Sequence, residues 1–582
     1  MSESLARYMP AKAEDSDDKK PTTIGCFNAQ LNHPMQIVKR YAGLVGSMKG
    51  SELDFNQLVS IIKQLQFWQT NDREEFVAQF LDYPDLLNAK CSEMVYAFCH
   101  LKWNMFSHEM QAKFVDFLVN VASFNPIHVN FVLRSIVINC LNGFPEQVES
   151  PDEEQHNNFE RTFELGLQAM YRLVPPSSAY GFSSTRIPEL SALLGKMKPF
   201  KRAPLHEFYL YIRLLITFCD KYSSIAKELW FNIIDCLIKF DSEVSNELVS
   251  QQANDLRHIF PKRDENIIDE SDSAVNEARR KLDVCMTMVF CYISLDAHEP
   301  RIQPSDYVYT QWMKNIKPCD DVFVLLSSPL EAQVLTVYEL ENVPFIWFYM
   351  CLEDESILER LLEYLWQLIL KPYKSPNDWK KMHNAVAFMA GILARGDFAS
   401  IDVAKLWLEK MIEWCVMYVK NAGQVKHGGG IQHSTFYAIV QSAFFLLCFR
   451  YKEFNESKMA EEVHTWGISR IVHSQLEPLN FIPRNLALFF ASISRYMQIV
   501  YCSHIVNMHN DQVGVETCFP YLRHGLIQSA RYFQSHLRVF QPIENDLATI
   551  NSIRSRRTTE VANDENDYDF MEEDDGIEID CE

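Results

Sequence analysis

Glycine is scarce in this chain, at 18 of 582 residues, where average usage of about 7% would give roughly 40. Tight hairpins, phosphate loops and backbone kinks all draw on glycine, so a hairpin-rich β architecture or a nucleotide cradle is disfavoured. Also missing is any Cys-x-x-Cys pair among the 15 cysteines. Cys91, Cys99, Cys140, Cys219, Cys236 and Cys285 sit singly within apolar stretches, as small buried hydrophobes do. With no amino-terminal apolar signal region, a reducing compartment is expected rather than a disulfide framework. Those spacings predict no metal site and no cofactor. Long hydrophobic runs are absent too. The most apolar stretch, Phe436 to Phe449, is interrupted by Gln441 and stops at Arg450, short of the ~20 residues that span a bilayer. No membrane association is expected.

Catalytic constellations are equally lacking. There is no Gly-rich phosphate loop, no HExxH and no nucleophile elbow. His427-Gly-Gly-Gly looks like part of an esterase oxyanion loop, but no GxSxG accompanies it, and a connection between helices is the better reading. Cys448 with His433 makes a thiol–imidazole combination on paper. Cys448 lies mid-way along an apolar helix, however, where burial disfavours a thiolate. The chain is read as a non-enzyme.

Positive charge is the last shortage. The net charge is −22, and half of it comes from the final twenty residues, which hold eleven Asp or Glu and no Lys or Arg. Such a surface is repelled by phosphate backbones, so little or no direct nucleic-acid binding is expected and partners with basic faces are favoured.

What is present is helical periodicity. Ile357, Leu358, Leu361, Leu362, Leu365, Leu368 and Ile369 recur at three- and four-residue intervals, as do Leu408, Met411, Ile412, Cys415 and Val419, which lines one helix face. Further stripes run from Phe114 to Val121, Leu210 to Phe218, Leu229 to Phe240, Leu282 to Leu295 and Leu486 to Ile505. Breakers such as Asn125-Pro126, Pro175-Pro176, Lys371-Pro372 and Gly428-Gly429-Gly430 separate them. Helix pairs spaced by about 40–50 residues fit HEAT or armadillo units. The expected fold is an all-α, HEAT-type helical-repeat solenoid with an acidic mobile insertion and an acidic C-terminal tail. Its expected divisions are a flexible arm over 1–33, N-terminal repeats over 34–245, the insertion over 246–278, C-terminal repeats over 279–545, and a disordered tail over 546–582.

Two features could carry function. Lys196, Lys198, Lys201 and Arg202 form the clearest basic cluster of an acidic chain, though a solvated loop would look the same. Just upstream, Ser177, Ser178, Ser183, Ser184 and Thr185 gather around prolines, where a phosphate would add nearly two negative charges. Further candidate phosphosites are Ser150, which precedes Pro151 and three acidic residues, and Ser271 and Ser273 within the acidic insertion.

Several stretches together resemble the RNA polymerase I-specific transcription initiation factor family, known in mammals as TIF-IA. His433, Phe436, Tyr437, Gln441, Phe449 and Arg450 fit the family's pattern most specifically. Arg470 to Leu479 with Pro483, Phe489, Phe490, Tyr501 and Cys502 follow. Phe348 to Cys351, Leu365-Trp366, Leu393 to Arg395 with Phe398, and more loosely Leu173 to Pro175 with Pro199-Phe200, also match. The resemblance implies a HEAT-repeat bridge between RNA polymerase I and promoter-bound initiation factors at ribosomal RNA genes. It also implies control by protein kinases and a nuclear, nucleolar location. The serine-bearing turn and the basic cluster then become the candidate polymerase-binding or phosphorylation surface, with a homodimer among the states open to the free chain. The rival reading is a helical-repeat transport receptor or coat-type scaffold, which shares the repeats and the acidic surface but has no reason to carry these motifs.

Overall fold

A computed structural model describes residues 34–43, 51–176, 186–252, 273–297, 299–318, 321–337, 340–372, 375–422, 431–507 and 526–541. The serine turn 177–185, Gly428–Gly430, the whole of the N-terminal arm 1–33 and of the tail 546–582, and residues 253–272 of the acidic insertion lie outside these residues. Among the described residues the only β pairing is a single bridge between Gly396 and Leu537. All other regular structure is helical, in an all-α helical-repeat fold. The chain divides into two compact units, Met1–Asn139 with Arg161–Leu173, and Cys140–Glu160 with Val174–Glu582.

The first unit contains α1 (Pro34–Tyr41), α2 (Ser51–Gln64), α3 (Thr70–Leu81), α4 (Ser92–Cys99), α5 (His108–Phe124) and α6 (Val129–Cys140). The long α7 (Glu153–Leu173) contributes residues to both units. The apolar stripes meet in an aromatic core, where Phe98 packs edge-on against Phe80, Phe114 and Phe117, the favoured geometry for ring quadrupoles. Buried Arg73 donates to the carbonyl oxygens of Leu65 (3.0 Å), Trp68 (2.6 Å) and Met105. These bonds satisfy the backbone where α2 gives way to α3 and tie it to the segment that precedes α5.

In the second unit α8 (Ile187–Lys196), α9 (Leu205–Lys221), α10 (Ala226–Gln252), α11 (Ser273–Ser294) and α12 (Val322–Ala332) come first. Next are α13 (Phe345–Glu353), α14 (Glu355–Leu370), α15 (Pro376–Arg395), α16 (Ile401–Asn421) and α17 (Ser434–Phe449). The short helices α18 (Tyr451–Phe454), α19 (Ser457–Thr465) and α20 (Ile468–Val472) precede α21 (Arg484–Tyr496) and α22 (Ser503–Asn507). Each helix packs mainly on its near neighbours in sequence: α9 on α10, α10 on α11, α11 on α13, α14 on α15, α15 on α17 and α17 on α21. This is how a repeat buries stripes that no single pair could cover. The limits expected for the insertion, 246 and 278, both fall inside helices, α10 and α11.

The stripe from Leu486 to Ile505 does not form one helix. It stops at Tyr496, Gln498 adopts a left-handed φ of 57°, and Ile499 N–H donates to Ser494 O at 2.9 Å. That is a Schellman-type ending. Residues 526–541 then lie across the second unit. Their Ile527, Gln528 and Ser529 N–H groups donate to Asp283 of α11. Phe533 stacks on Phe345 at 4.7 Å, and Arg538 N–H donates to Arg395 O at 2.7 Å.

Candidate functional site

The basic cluster sits in the connection from α8 to α9. Proline at the second position of α8 presets its first turn, and the buried face Ile187, Leu190 and Leu194 anchors the helix. Its end is fixed from α9, where Tyr211 Oη donates to Leu194 O at 3.0 Å. Both helices pack on α10, so the connecting turn is held on a rigid base. Within it Ala203 N–H donates to Phe200 O at 2.8 Å. That turn carries Phe200 outward, leaving it 78% exposed, the most exposed large apolar side chain among the described residues.

The four cations differ in their surroundings. Lys198 Nζ pairs with Asp235 of α10, which also accepts from Lys239 at 2.8 Å. Burial pushes the Asp235 carboxyl upward, but the hydrogen bonds from Lys198 and Lys239 outweigh it and hold the group below its ordinary range. Lys201 reaches Glu243 at 3.5 Å. Lys196 and Arg202 are exposed and make no ion pair among the described residues. Five cations therefore face two carboxylates on this ridge, which stays positive on an acidic protein and has an aromatic ring at its tip. Asp235, Lys239 and Glu243 were missed by reading the turn alone. Their four-residue spacing on α10 was the available signal.

The other candidates are dispersed. Ser177, Ser178, Ser183, Ser184 and Thr185, and likewise Ser271, lie outside the described residues. Ser273 is the first residue of α11. Ser150 is exposed ahead of α7, next to Glu149, whose carboxylate meets Arg280 at 2.9 Å.

The residues that carry the family resemblance most specifically, His433, Phe436, Tyr437, Gln441, Phe449 and Arg450, are buried, whereas Phe200 and Tyr501 are exposed. His433 Nδ1 shares a hydrogen bond with Tyr418 Oη at 2.9 Å, and Tyr437 Oη donates to Leu476 O at 2.9 Å. Arg450, 2% exposed, forks onto Glu453 at 2.8 and 2.5 Å and donates to the carbonyls of Leu393, Ala399 and Ser400 at 3.0–3.4 Å. It ties the end of α17 to the connection between α15 and α16. Cys448 is fully buried, and desolvation holds its thiol well above the ordinary range, which opposes nucleophilic use. Burial likewise drives Cys91, Cys236 and Cys502 to about 11. Among the described residues no group of His, Cys, Asp or Glu is arranged to hold a metal ion, and no helix is long and apolar enough to cross a membrane.

Residues 38–544 match the family described as RNA polymerase I specific transcription initiation factor RRN3. The Caenorhabditis elegans RNA polymerase I-specific transcription initiation factor tif-1A is 25% identical over 619 residues, spanning 98% of this chain and 92% of that protein. Mus musculus RRN3 is 21% identical over 597 residues, spanning 93% and 87%. The crystal structure of RNA polymerase I transcription initiation factor Rrn3 aligns with a TM-score of 0.56 at 16% identity, covering 87% of this chain and 93% of that one. At that identity the likeness concerns the fold. These matches favour the initiation-factor reading over the transport-receptor one. Matched from residue 38 to residue 544, the chain belongs to the RNA polymerase I-specific transcription initiation factor RRN3 family.

Proposed function

We propose that this protein works by binding rather than catalysis: it brings RNA polymerase I to promoter-bound factors at ribosomal RNA genes, in the nucleus and its nucleolus. The observation that carries this is the family match over residues 38–544. On this reading the ridge formed by Lys196, Lys198, Phe200, Lys201 and Arg202 faces the polymerase. The support is an unpaired pair of cations beside an exposed ring, since aromatic and arginine side chains dominate binding energy at interfaces. Ser177, Ser178, Ser183, Ser184 and Thr185 adjoin that ridge in sequence and act as its brake. Phosphate there cancels nearby lysine charge and repels an acidic partner surface. Ser150, Ser271 and Ser273 are secondary sites for kinases, and the acidic insertion and tail discourage non-specific DNA contact.

The test is affinity capture of RNA polymerase I from nuclear extract by tagged protein. Acidic replacement of Ser177, Ser178, Ser183 and Ser184 together is expected to weaken capture by one to two orders of magnitude, a loss of about 1.4–2.8 kcal/mol. Alanine replacement leaves it near the starting value. Indifference to both sets would make the turn a connector, and equal loss from both would remove the phosphorylation brake.

A further inference from the structure

Cations outnumber carboxylates on the ridge between α8 and α9. Lys196, Lys198, Lys201, Arg202 and Lys239 stand against Asp235 and Glu243, and Lys196 and Arg202 make no ion pair among the described residues. Other surface cations are matched singly. Lys63 meets Glu93, Lys113 meets Glu109, Arg172 meets Asp116 and Lys405 meets Glu462. On the ridge the excess charge surrounds the exposed ring of Phe200. Such a surface suits an acidic segment with apolar side chains set into it: carboxylates meet the cations while a ring or an aliphatic chain covers Phe200.

The chain itself contains a segment of that chemistry. Residues 563–582 hold eleven Asp or Glu and no Lys or Arg, with Tyr568, Phe570, Met571, Ile577 and Ile579 set among them. The geometry of the second unit brings it within reach. Ser529 is pinned to Asp283 of α11. Two residues before Asp283, Lys281 lies over the ring of Phe208 at the start of α9, 5.8 Å from its centre, so this anchor is close to the base of the ridge. From Ser529 the chain covers at most about 43 Å to Gln541. Residues 542–562 extend to about 70–75 Å, and 563–582 add about as much again. A tethered segment meets its site at an effective concentration on the order of millimolar, so contacts too weak to hold a free peptide suffice.

We infer that the chain's own acidic stretch, residues 563–582, occupies the ridge of Lys196, Phe200, Lys201 and Arg202 when no partner is bound. The docked stretch competes with an acidic partner surface for the same cations, so the ridge is held closed until that partner displaces it. The docking stands on charge and reach alone. Its effect on polymerase capture rests on the function proposed above.

The test uses the full-length protein and a zero-length carbodiimide, which joins lysine amines to carboxylates in contact, with the links read by mass spectrometry. Links from Lys196 and Lys201 to acids of 563–582 are expected at ~0.01 M salt, where the Debye length is about 30 Å, and their loss at ~1 M, where it is about 3 Å. Mixing 14N and 15N protein assigns the links to one chain. Arg202→Glu alters an exposed side chain that cannot itself be linked, and lowers the yield several-fold. In the full chain, Glu572→Gln, Glu573→Gln, Asp574→Asn and Asp575→Asn together reduce the links from the remaining tail acids and raise capture of RNA polymerase I several-fold. No links to the ridge lysines, links between chains, equal linking to Lys63 or Lys113, or a yield indifferent to Arg202→Glu would overturn the docking. Links reduced in the tail variant with capture unchanged would uphold the docking and remove the ridge from the polymerase.

Discussion

Asp283 on α11 offers the most exposing test of how residues 526–541 are held. Its Oδ2 accepts from Ile527 N–H at 2.9 Å and Gln528 N–H at 2.8 Å. Its Oδ1 accepts from Ser529 N–H at 2.8 Å and Ser529 Oγ at 2.7 Å. Asp283→Asn keeps the shape and one acceptor oxygen, but its new NH2 group faces N–H donors. Hydrogen bonds to charged groups contribute about 1.5–3 kcal/mol each, so losing two weakens the dock by at least about 3 kcal/mol. The rest of the segment keeps its own anchors. Phe533 stays between Phe345 and Phe290, and the Arg538 guanidinium still donates to the carbonyl oxygens of Gly396, Asp397 and Ala399. Local opening is therefore expected in place of global unfolding. About 3 kcal/mol raises the open population roughly a hundredfold. Amide hydrogen exchange followed by mass spectrometry reads it directly: peptides covering 526–541 lose protection on that scale while α15 and α17 keep theirs. Protection unchanged within about threefold would refute the role of Asp283. Loss across the whole unit would refute the separate stability of the segment.

Phe200→Ala is expected to leave the thermal midpoint nearly unchanged, because exposed positions usually matter by less than about 0.5 kcal/mol. The same variant should reduce polymerase capture at least tenfold if the ring is an interface anchor, and undiminished capture would remove it from the surface. His383 tests a buried imidazole, which burial pushes down to about 4 from an ordinary value near 6.5. The unfolded chain binds that proton first. Stability is thus full above pH ~6.5 and falls as pH drops toward 4, by up to about 3 kcal/mol from this group. His383→Gln should flatten the slope of urea midpoints between about pH 7 and 4.5, and identical slopes in the two proteins would refute the assignment.

How far the sequence revealed these features depended on how local their causes are. The stripe on α14 was legible because Leu358, Leu361, Leu362 and Leu365 are buried by a periodicity that any helix obeys. The break after Tyr496 was not. Its left-handed residue is Gln498, and without glycine or proline there is no local punctuation to read. The docking of 526–541 was invisible for a different reason. Asp283 and Ser529 are 246 residues apart, and nothing in either neighbourhood encodes the pairing. On the ridge, the cations of the turn were plain. The carboxylates of α10 that meet Lys198 and Lys201 required the packing of α8 and α9 on that helix.

The same distinction explains why the strongest family marks lie away from the proposed surface. Arg450 satisfies three carbonyl oxygens and Glu453 inside the unit. Removing it would leave those buried carbonyl oxygens without that donor, at about 1–3 kcal/mol for each one orphaned, and Glu453, itself partly exposed, without its partner. Lysine cannot replace that fork, since a point charge does not reproduce five fixed donors. Such positions tolerate few residue types whichever partner is bound. Phe200 and Arg202 are exposed and carry no internal duty among the described residues, so the loop can change its chemistry while the fold persists. The chain is 25% and 21% identical to the two relatives, and Arg450, Gln441 and His433 serve its own interior whichever partner is bound. Its choice of partner surface has to be established separately, at the ridge itself, by the capture experiments on Phe200 and the serine turn.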